Sequence, residues 1–349
     1  MKKVLALVVV LVMLAALFTA CSTASEQPSG TTEASQSSVA SESTPSESAQ
    51  TQETYLIGVS QRWGTVPFLR TIAKGIQDSA AEWEKNTGVK IELIITDSGN
   101  DDPTQQIKDM ENLYNQQVDG LILFPGDSKV CSDPVKNIYN ANNVPVVVTD
   151  IGLDYGEYVS MLITDNKAAG EMAAEEMAKI IPAGGKVVAF NHALGNNNVT
   201  TRIDGFRAKA EELGLTVLPD KPVEYSVDGA IALTEDVLTA EPDIAGIFTV
   251  NQLPAYAAGG ALKDAGNTTC KVVGFDLDGN ALESIKTAGT VSAYVVQDPY
   301  YMGYEGLNQM MYYLTGQTDK IVKDIPVVTK LLTMDNVADF ENDPQVTFK

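Results

Sequence analysis

The chain holds one histidine and three cysteines in 349 residues. Zinc sites need several His or Cys ligands held together, so no metal centre is expected. Basic residues are also few, 24 Lys+Arg against 46 Asp+Glu, for a net charge of −22. Nucleic acid binding depends on clustered Lys and Arg that neutralise phosphates, so no nucleic acid partner is expected. Enzyme signatures are missing as well. The first apolar run leads into Val59-Ser60-Gln61-Arg62-Trp63-Gly64, where a dinucleotide fold would need Gly-x-Gly-x-x-Gly. Gly184-Gly185-Lys186 lacks the spacing of a nucleotide-binding loop and reads as a turn before a strand. A serine hydrolase would have His192 as its sole imidazole, without a Gly-x-Ser-x-Gly elbow. Neither catalysis nor a cofactor is expected.

What is present begins with an export signal. Met1-Lys2-Lys3 is basic, and Val4 to Phe18 is an apolar run of 15 residues, shorter than the ~20 needed to span a bilayer. It runs through small residues into Cys21, which resembles a bacterial lipobox with Phe18 in place of the usual Leu. On that reading residues 1–20 are a lipoprotein signal peptide, and Cys21 becomes the lipidated N-terminus. An ordinary signal peptide with an incidental cysteine is the alternative. Two acyl chains anchor stably where one does not. Residues 21–53 follow as a tether. From Ser22 it has ten Ser, five Thr, five Glu, no Lys or Arg and no aromatic, too little apolar area to offset the entropy of ordering.

From Thr54 short apolar runs alternate with helix-period segments. Strands are expected at 55–60, 90–96, 119–124, 144–149, 158–163, 186–191, 222–225, 245–250, 271–275 and 291–296. Continuous runs such as Val146-Val147-Val148 suit strands buried on both faces of a parallel sheet. Leu69, Ile72, Ala73, Ile76, Ala80 and Trp83 share one helical face. Pro67 and Pro103 open helices, and Gly88 and Gly214 end them. Repeated βα units imply right-handed parallel crossovers, and the number of strands divides them into two doubly wound sheets.

Ligands of such sheets bind beyond the carboxyl ends of the strands. The residues ending the apolar runs are Asp150, Asn251, Asp276 and Gln297, and Arg202 lies early in the helix after 186–191. These planar side chains can pair with neighbouring hydroxyls of a polyol. Trp63, Phe68 and Tyr225, which ends the 222–225 strand, offer aromatic faces to the C–H faces of a sugar.

Taken together, Pro67-Phe68, Val147-Val148-Thr149-Asp150, Thr164-Asp165-Asn166, Arg202-Ile203-Asp204-Gly205-Phe206, Leu238 to Asp243, Val273-Gly274-Phe275-Asp276 and Gln297 resemble the ribose-binding-protein group of ABC-transporter solute-binding proteins. The resemblance runs from Tyr55 to about Thr333. It implies the type I periplasmic-binding-protein fold, α/β, with two doubly wound parallel-sheet lobes joined by a three-crossing hinge. Lobe one is then 54–164 plus 298–324, and lobe two 165–297 plus 325–349. The family's sugar contacts transfer to Phe68, Asp150, Arg202, Tyr225, Asn251, Asp276 and Gln297. Where the ribose binders have Asn, a second Phe and Arg, this chain has Val66, Leu69 and Ile151. Lobe one thus loses an amide, a ring and a guanidinium, so the ligand is expected to be a sugar or polyol other than ribose. Trp63 is positioned to restore the ring.

The resemblance further implies a monomer that closes its hinge on the ligand and presents the closed form to an ABC permease and its ATPase. The expected location is the outer face of the cytoplasmic membrane, or the periplasm where an outer membrane exists. The alternative is a lipid-anchored sensor that presents its closed form to a chemoreceptor or histidine kinase. Cys131 and Cys270 fall in different lobes on this division, where a bridge would block the hinge, so free packed thiols are expected.

Overall fold

Consecutive apolar residues in this chain are buried on alternating sides of a sheet. Val146, Val147 and Val148 are all buried, yet Val147 packs into one cluster with Ile57, Ile72 and Met310, and its neighbours pack into another with Leu113 and Tyr139. The computed structural model describes residues 53–99, 102–191, 197–287 and 289–347. The signal peptide, Cys21, the tether up to residue 52 and His192 lie outside these residues.

Lobe one is built from β1 (Thr54–Gln61), α1 (Pro67–Thr87), β2 (Lys90–Asp97), α2 (Pro103–Asn115), β3 (Gly120–Leu123), α3 (Ser128–Pro134), β4 (Val146–Thr149) and β5 (Ser160–Thr164). Lobe two follows with α4 (Asn166–Ile180), β6 (Lys186–Asn191), α5 (Asn197–Glu212), β7 (Thr216–Val217), β8 (Lys221–Pro222), α6 (Val227–Ala240), β9 (Ile244–Thr249), α7 (Gln252–Asp264), β10 (Lys271–Phe275), α8 (Gly279–Thr287) and β11 (Val291–Val296). The chain returns to lobe one with α9 (Pro299–Leu314) and β12 (Asp324–Val327), then ends on lobe two with β13 (Lys330–Thr333) and α10 (Pro344–Thr347). The first sheet has the order β12-β5-β4-β3-β1-β2 and is parallel throughout. The second runs β13-β11-β10-β9-β6-β7, with β13 antiparallel to β11. Each sheet carries a core on both faces, as a doubly wound arrangement requires.

The boundary signals act as the sequence suggests. Pro67 and Pro103 stand in the first turn of α1 and α2, and Gly88 ends α1 in the left-handed region at φ 76°. Two expectations need correction. The strand through 222–225 is only the two-residue β8, and Tyr225 lies beyond it. The backbone there turns: the Ser226 amide donates to the Glu224 carbonyl, and the Ser226 hydroxyl caps α6 at the Gly229 amide. The third passage between lobes also falls later than Asp324, because β12 pairs with β5 as far as Val327. Cys131 and Cys270 are buried and free.

Glycines allow two close helix crossings, one in each lobe. A Cβ on Gly303 of α9 would overlap the Ile72 carbonyl of α1, and one on Gly75 would overlap the Tyr300 carbonyl. Gly170 of α4 and Gly205 of α5 stand in the same relation to the Arg202 and Lys167 carbonyls. Gly303→Ala is therefore expected to cost about 1–3 kcal/mol through overpacking. Gly260→Ala, in the interior of α7 with nothing near its Cβ position, should gain roughly 0.5–1 kcal/mol from helix propensity. Urea unfolding of both variants checks the contrast.

Candidate functional site

The sheets deliver their strand ends to one cleft of about 490 Å³ between the lobes. Trp63, Phe68, Asp150, Arg202, Tyr225, Asn251, Asp276 and Gln297 all line it. Two of these sit in strained backbone. Asp150 after β4 and Asp276 after β10 have φ of 70° and 68°, the left-handed region that Asp tolerates better than most residues. Each donates its amide to the neighbouring strand, Asp150 to the Leu162 carbonyl and Asp276 to that of Val295. The turn holds each carboxylate at the rim.

Arg202, in the second turn of α5, is 4 % exposed. Its Nε and Nη2 donate to Asn166 Oδ1 at 3.2 and 2.9 Å, and Nη1 donates to the Val250 carbonyl. The guanidinium carbon lies 3.3 Å from the centroid of the Phe275 ring, a cation–π stack. Burial pushes its pKa down to about 10, while Asp276 and Asp150 favour the charged form. It stays protonated at neutral pH.

Asp276 accepts from Asn251 Nδ2 at 2.6 Å on one oxygen and from Gln297 Nε2 on the other. Gln297 Oε1 in turn accepts from the Thr164 hydroxyl at the end of β5. Asn251 Oδ1 is buried without a hydrogen-bond partner, a cost of about 1–3 kcal/mol that a donor from a bound molecule would relieve. Trp63 and Phe68 are half-buried against the lobe-one core, and Tyr225 is 47 % exposed. Apolar Val66, Leu69, Ile151 and Leu277 fill the spaces between the polar groups.

Three polar residues were missed by reading strand ends alone. Arg62 lines the cleft and places Nη2 3.1 Å from Asp150 Oδ2. The guanidinium expected to be lost with Ile151 is therefore present, supplied from the end of β1. Asn198, at the start of α5, donates to the Asp150 carbonyl at 3.0 Å and links the lobes. Asn166 supports Arg202. Arg62 directly follows β1 and precedes Trp63, a strand-end position like those of the other polar residues. Among the described residues no group of His, Cys, Asp and Glu suits a metal ion.

A cleft between two doubly wound lobes, rimmed by hydrogen-bonding side chains and aromatic rings, defines a solute-binding protein. A family model described as a periplasmic binding protein domain matches residues 57–318. The ribose import binding protein of Bacillus subtilis (strain 168) is 33% identical over 259 residues, 74% of this chain and 81% of that protein. A carbohydrate transporter solute-binding protein from Agrobacterium radiobacter, solved in complex with D-arabinose, matches with a TM-score of 0.69 and 27% identity over 86% of this chain and 100% of that one. An ABC transporter solute-binding protein from Agrobacterium vitis, solved with bound D-fucose, matches with a TM-score of 0.70 and 28% identity over 84% and 99%. The chain belongs to the ribose-binding-protein-like, type I periplasmic-binding family. It is a binding protein and not an enzyme.

Replacing Arg202 by Lys keeps the charge but removes the fork that serves Asn166 and Val250. Arg202→Lys should lower stability by about 1–3 kcal/mol, whereas Tyr225→Ala on the open rim should stay within roughly 0.5 kcal/mol. Chemical unfolding without ligand measures both.

Proposed function

We propose that this protein is the sugar-binding component of an ABC importer, exported and held at the membrane by a lipid on Cys21. The observation that carries the sugar reading is the convergence, in one cleft, of Asp150 from lobe one with Arg202, Asn251, Asp276 and Gln297 from lobe two, flanked by Trp63, Phe68 and Tyr225. Carboxylate, amide and guanidinium groups pair with hydroxyls, and the rings and aliphatic side chains cover C–H faces. Two carboxylates opposite two guanidiniums suit a neutral ligand. Import is favoured over sensing because all three relatives carry import or transport in their descriptions. Closure of the lobes on the ligand would present both lobes together to a permease, as a shift of population toward the form that contacts the sugar from both sides.

The test is a thermal-shift screen of the chain from Thr51 onward, which forms one compact unit. Monosaccharides and cyclitols at about 100 times their Kd should add about 2.7 kcal/mol of stability, read as a rise in Tm. No shift with any sugar, cyclitol or nucleoside would overturn the sugar reading. The anchor is tested separately: Cys21→Ser in the full chain should move the protein from the membrane to the soluble fraction, and continued membrane retention would refute lipidation.

A further inference from the structure

Arg62 and Asp150 meet although they leave different strands. In the first sheet β3 lies between β1 and β4, so the ends of β1 and β4 stand about 9–10 Å apart. The Arg62 arm spans that gap. It passes beside Gly126, just after β3, where a Cβ would stand 3.6 Å from Arg62 Cβ and 3.2 Å from Gln106 Oε1. Gln106 Oε1 also accepts from the Gly126 amide at 2.8 Å, and Gln106 Nε2 donates to the Phe124 carbonyl. The buried Gln106 thus fixes the loop beside which the arm starts.

At the far end one guanidinium nitrogen meets one carboxylate oxygen, Arg62 Nη2 lying 3.1 Å from Asp150 Oδ2. Asp150 is held by its left-handed turn and by Asn198 on its carbonyl, and Arg62 Nη2 fixes one carboxylate oxygen. The residue after the aspartate, Ile151, is apolar and also faces the cleft. Polar reading in lobe one is therefore displaced toward β1 and Trp63, and the β5 side is left greasy.

We infer that Arg62 is the specificity-determining residue of lobe one. With Asp150 it reads a pair of adjacent hydroxyls on a neutral sugar, one accepting from the guanidinium and the other donating to the carboxylate, while Ile151 covers a ligand edge without hydroxyl contacts. This rests on the sugar reading of the cleft and adds which groups of the sugar are discriminated, and by which residue.

The test is isothermal titration of purified wild type, Arg62→Leu and Arg62→Lys with D-ribose, D-arabinose and D-fucose, and with the monodeoxy analogues of whichever sugar binds best. In the wild type, one deoxy analogue should bind at least about tenfold more weakly than its parent, since it leaves the pair without a partner. Arg62→Leu should weaken the parent sugar by about tenfold or more and leave that analogue nearly unchanged, so the preference collapses. Arg62→Lys keeps a donor and should fall between the two. Unchanged affinities in both variants, or an equal loss for the parent and every analogue, overturn the inference and reduce Arg62 to structural support. Where none of these three binds, the best sugar or cyclitol of the thermal-shift screen takes their place, and wild-type protein that binds none of that panel overturns the sugar reading and this inference with it.

Discussion

A guanidinium kept almost out of water organises the wall of lobe two. Arg202 brings a full charge to a site with 4 % exposure, where an unpaired ion costs several kcal/mol. Its compensation comes from four groups on three elements. Asn166 stands at the start of α4, the carbonyl of Val250 follows β9, Phe275 ends β10, and Asp276 is the residue after it. Each must be in place for the charge to be tolerated, so Arg202 fixes the mutual position of the helix that enters lobe two and the strand ends that face the cleft. The rigidity that a selective site requires is a by-product of burying that ion.

The two lobes repeat one plan. After β4 in one lobe and β10 in the other comes an aspartate in left-handed backbone, its amide bonded to the adjacent strand. The helix that arrives from the opposite lobe crosses the first helix of its host at a pair of glycines, Gly303 with Gly75 in one and Gly170 with Gly205 in the other. Backbones that approach this closely leave no room to slide, so the incoming helices act as fixed parts of their hosts. The passages between the two sheets are short, at 164–166, 297–299 and 327–330. The plan diverges in how each aspartate is supported: Asp276 by the amides of Asn251 and Gln297, Asp150 by the arm of Arg62. A similar scaffold with unlike supports gives the two walls of the cleft different polar groups.

Much of this was legible in the chain because parallel strands buried on both faces read as unbroken apolar runs. The residue that ends such a run is the one placed at the cleft, which is how Asp150, Asn251, Asp276 and Gln297 were found. Tyr225 was assigned to the right place for the wrong local reason, since a two-residue edge strand with Pro222 leaves almost no periodicity to read. Arg62 was overlooked for a different reason. Sequence gives the strand order along the chain, but a long arm reaching from β1 to the end of β4 depends on the order within the sheet. Ile151 could then only look like a deletion. A guanidinium reaches the cleft from the end of β1 instead.

The same geometry separates the protein's overall charge from the charge its ligand meets. The chain carries a large acidic excess, which favours solubility and keeps it off anionic lipid surfaces. Inside the cleft the sum differs: Asp150 and Asp276 share it with Arg62 and Arg202, and Asp276 accepts from the neutral amides of Asn251 and Gln297. A charged solute would have to shed its hydration against a balanced site and find no counter-ion. A neutral, hydroxyl-rich solute can trade water for these dipoles almost one for one. Gln297 extends the consequence to the connectors, because it bonds both to Asp276 in the cleft and to Thr164 at the end of β5. That side chain therefore joins two of the three passages between the sheets.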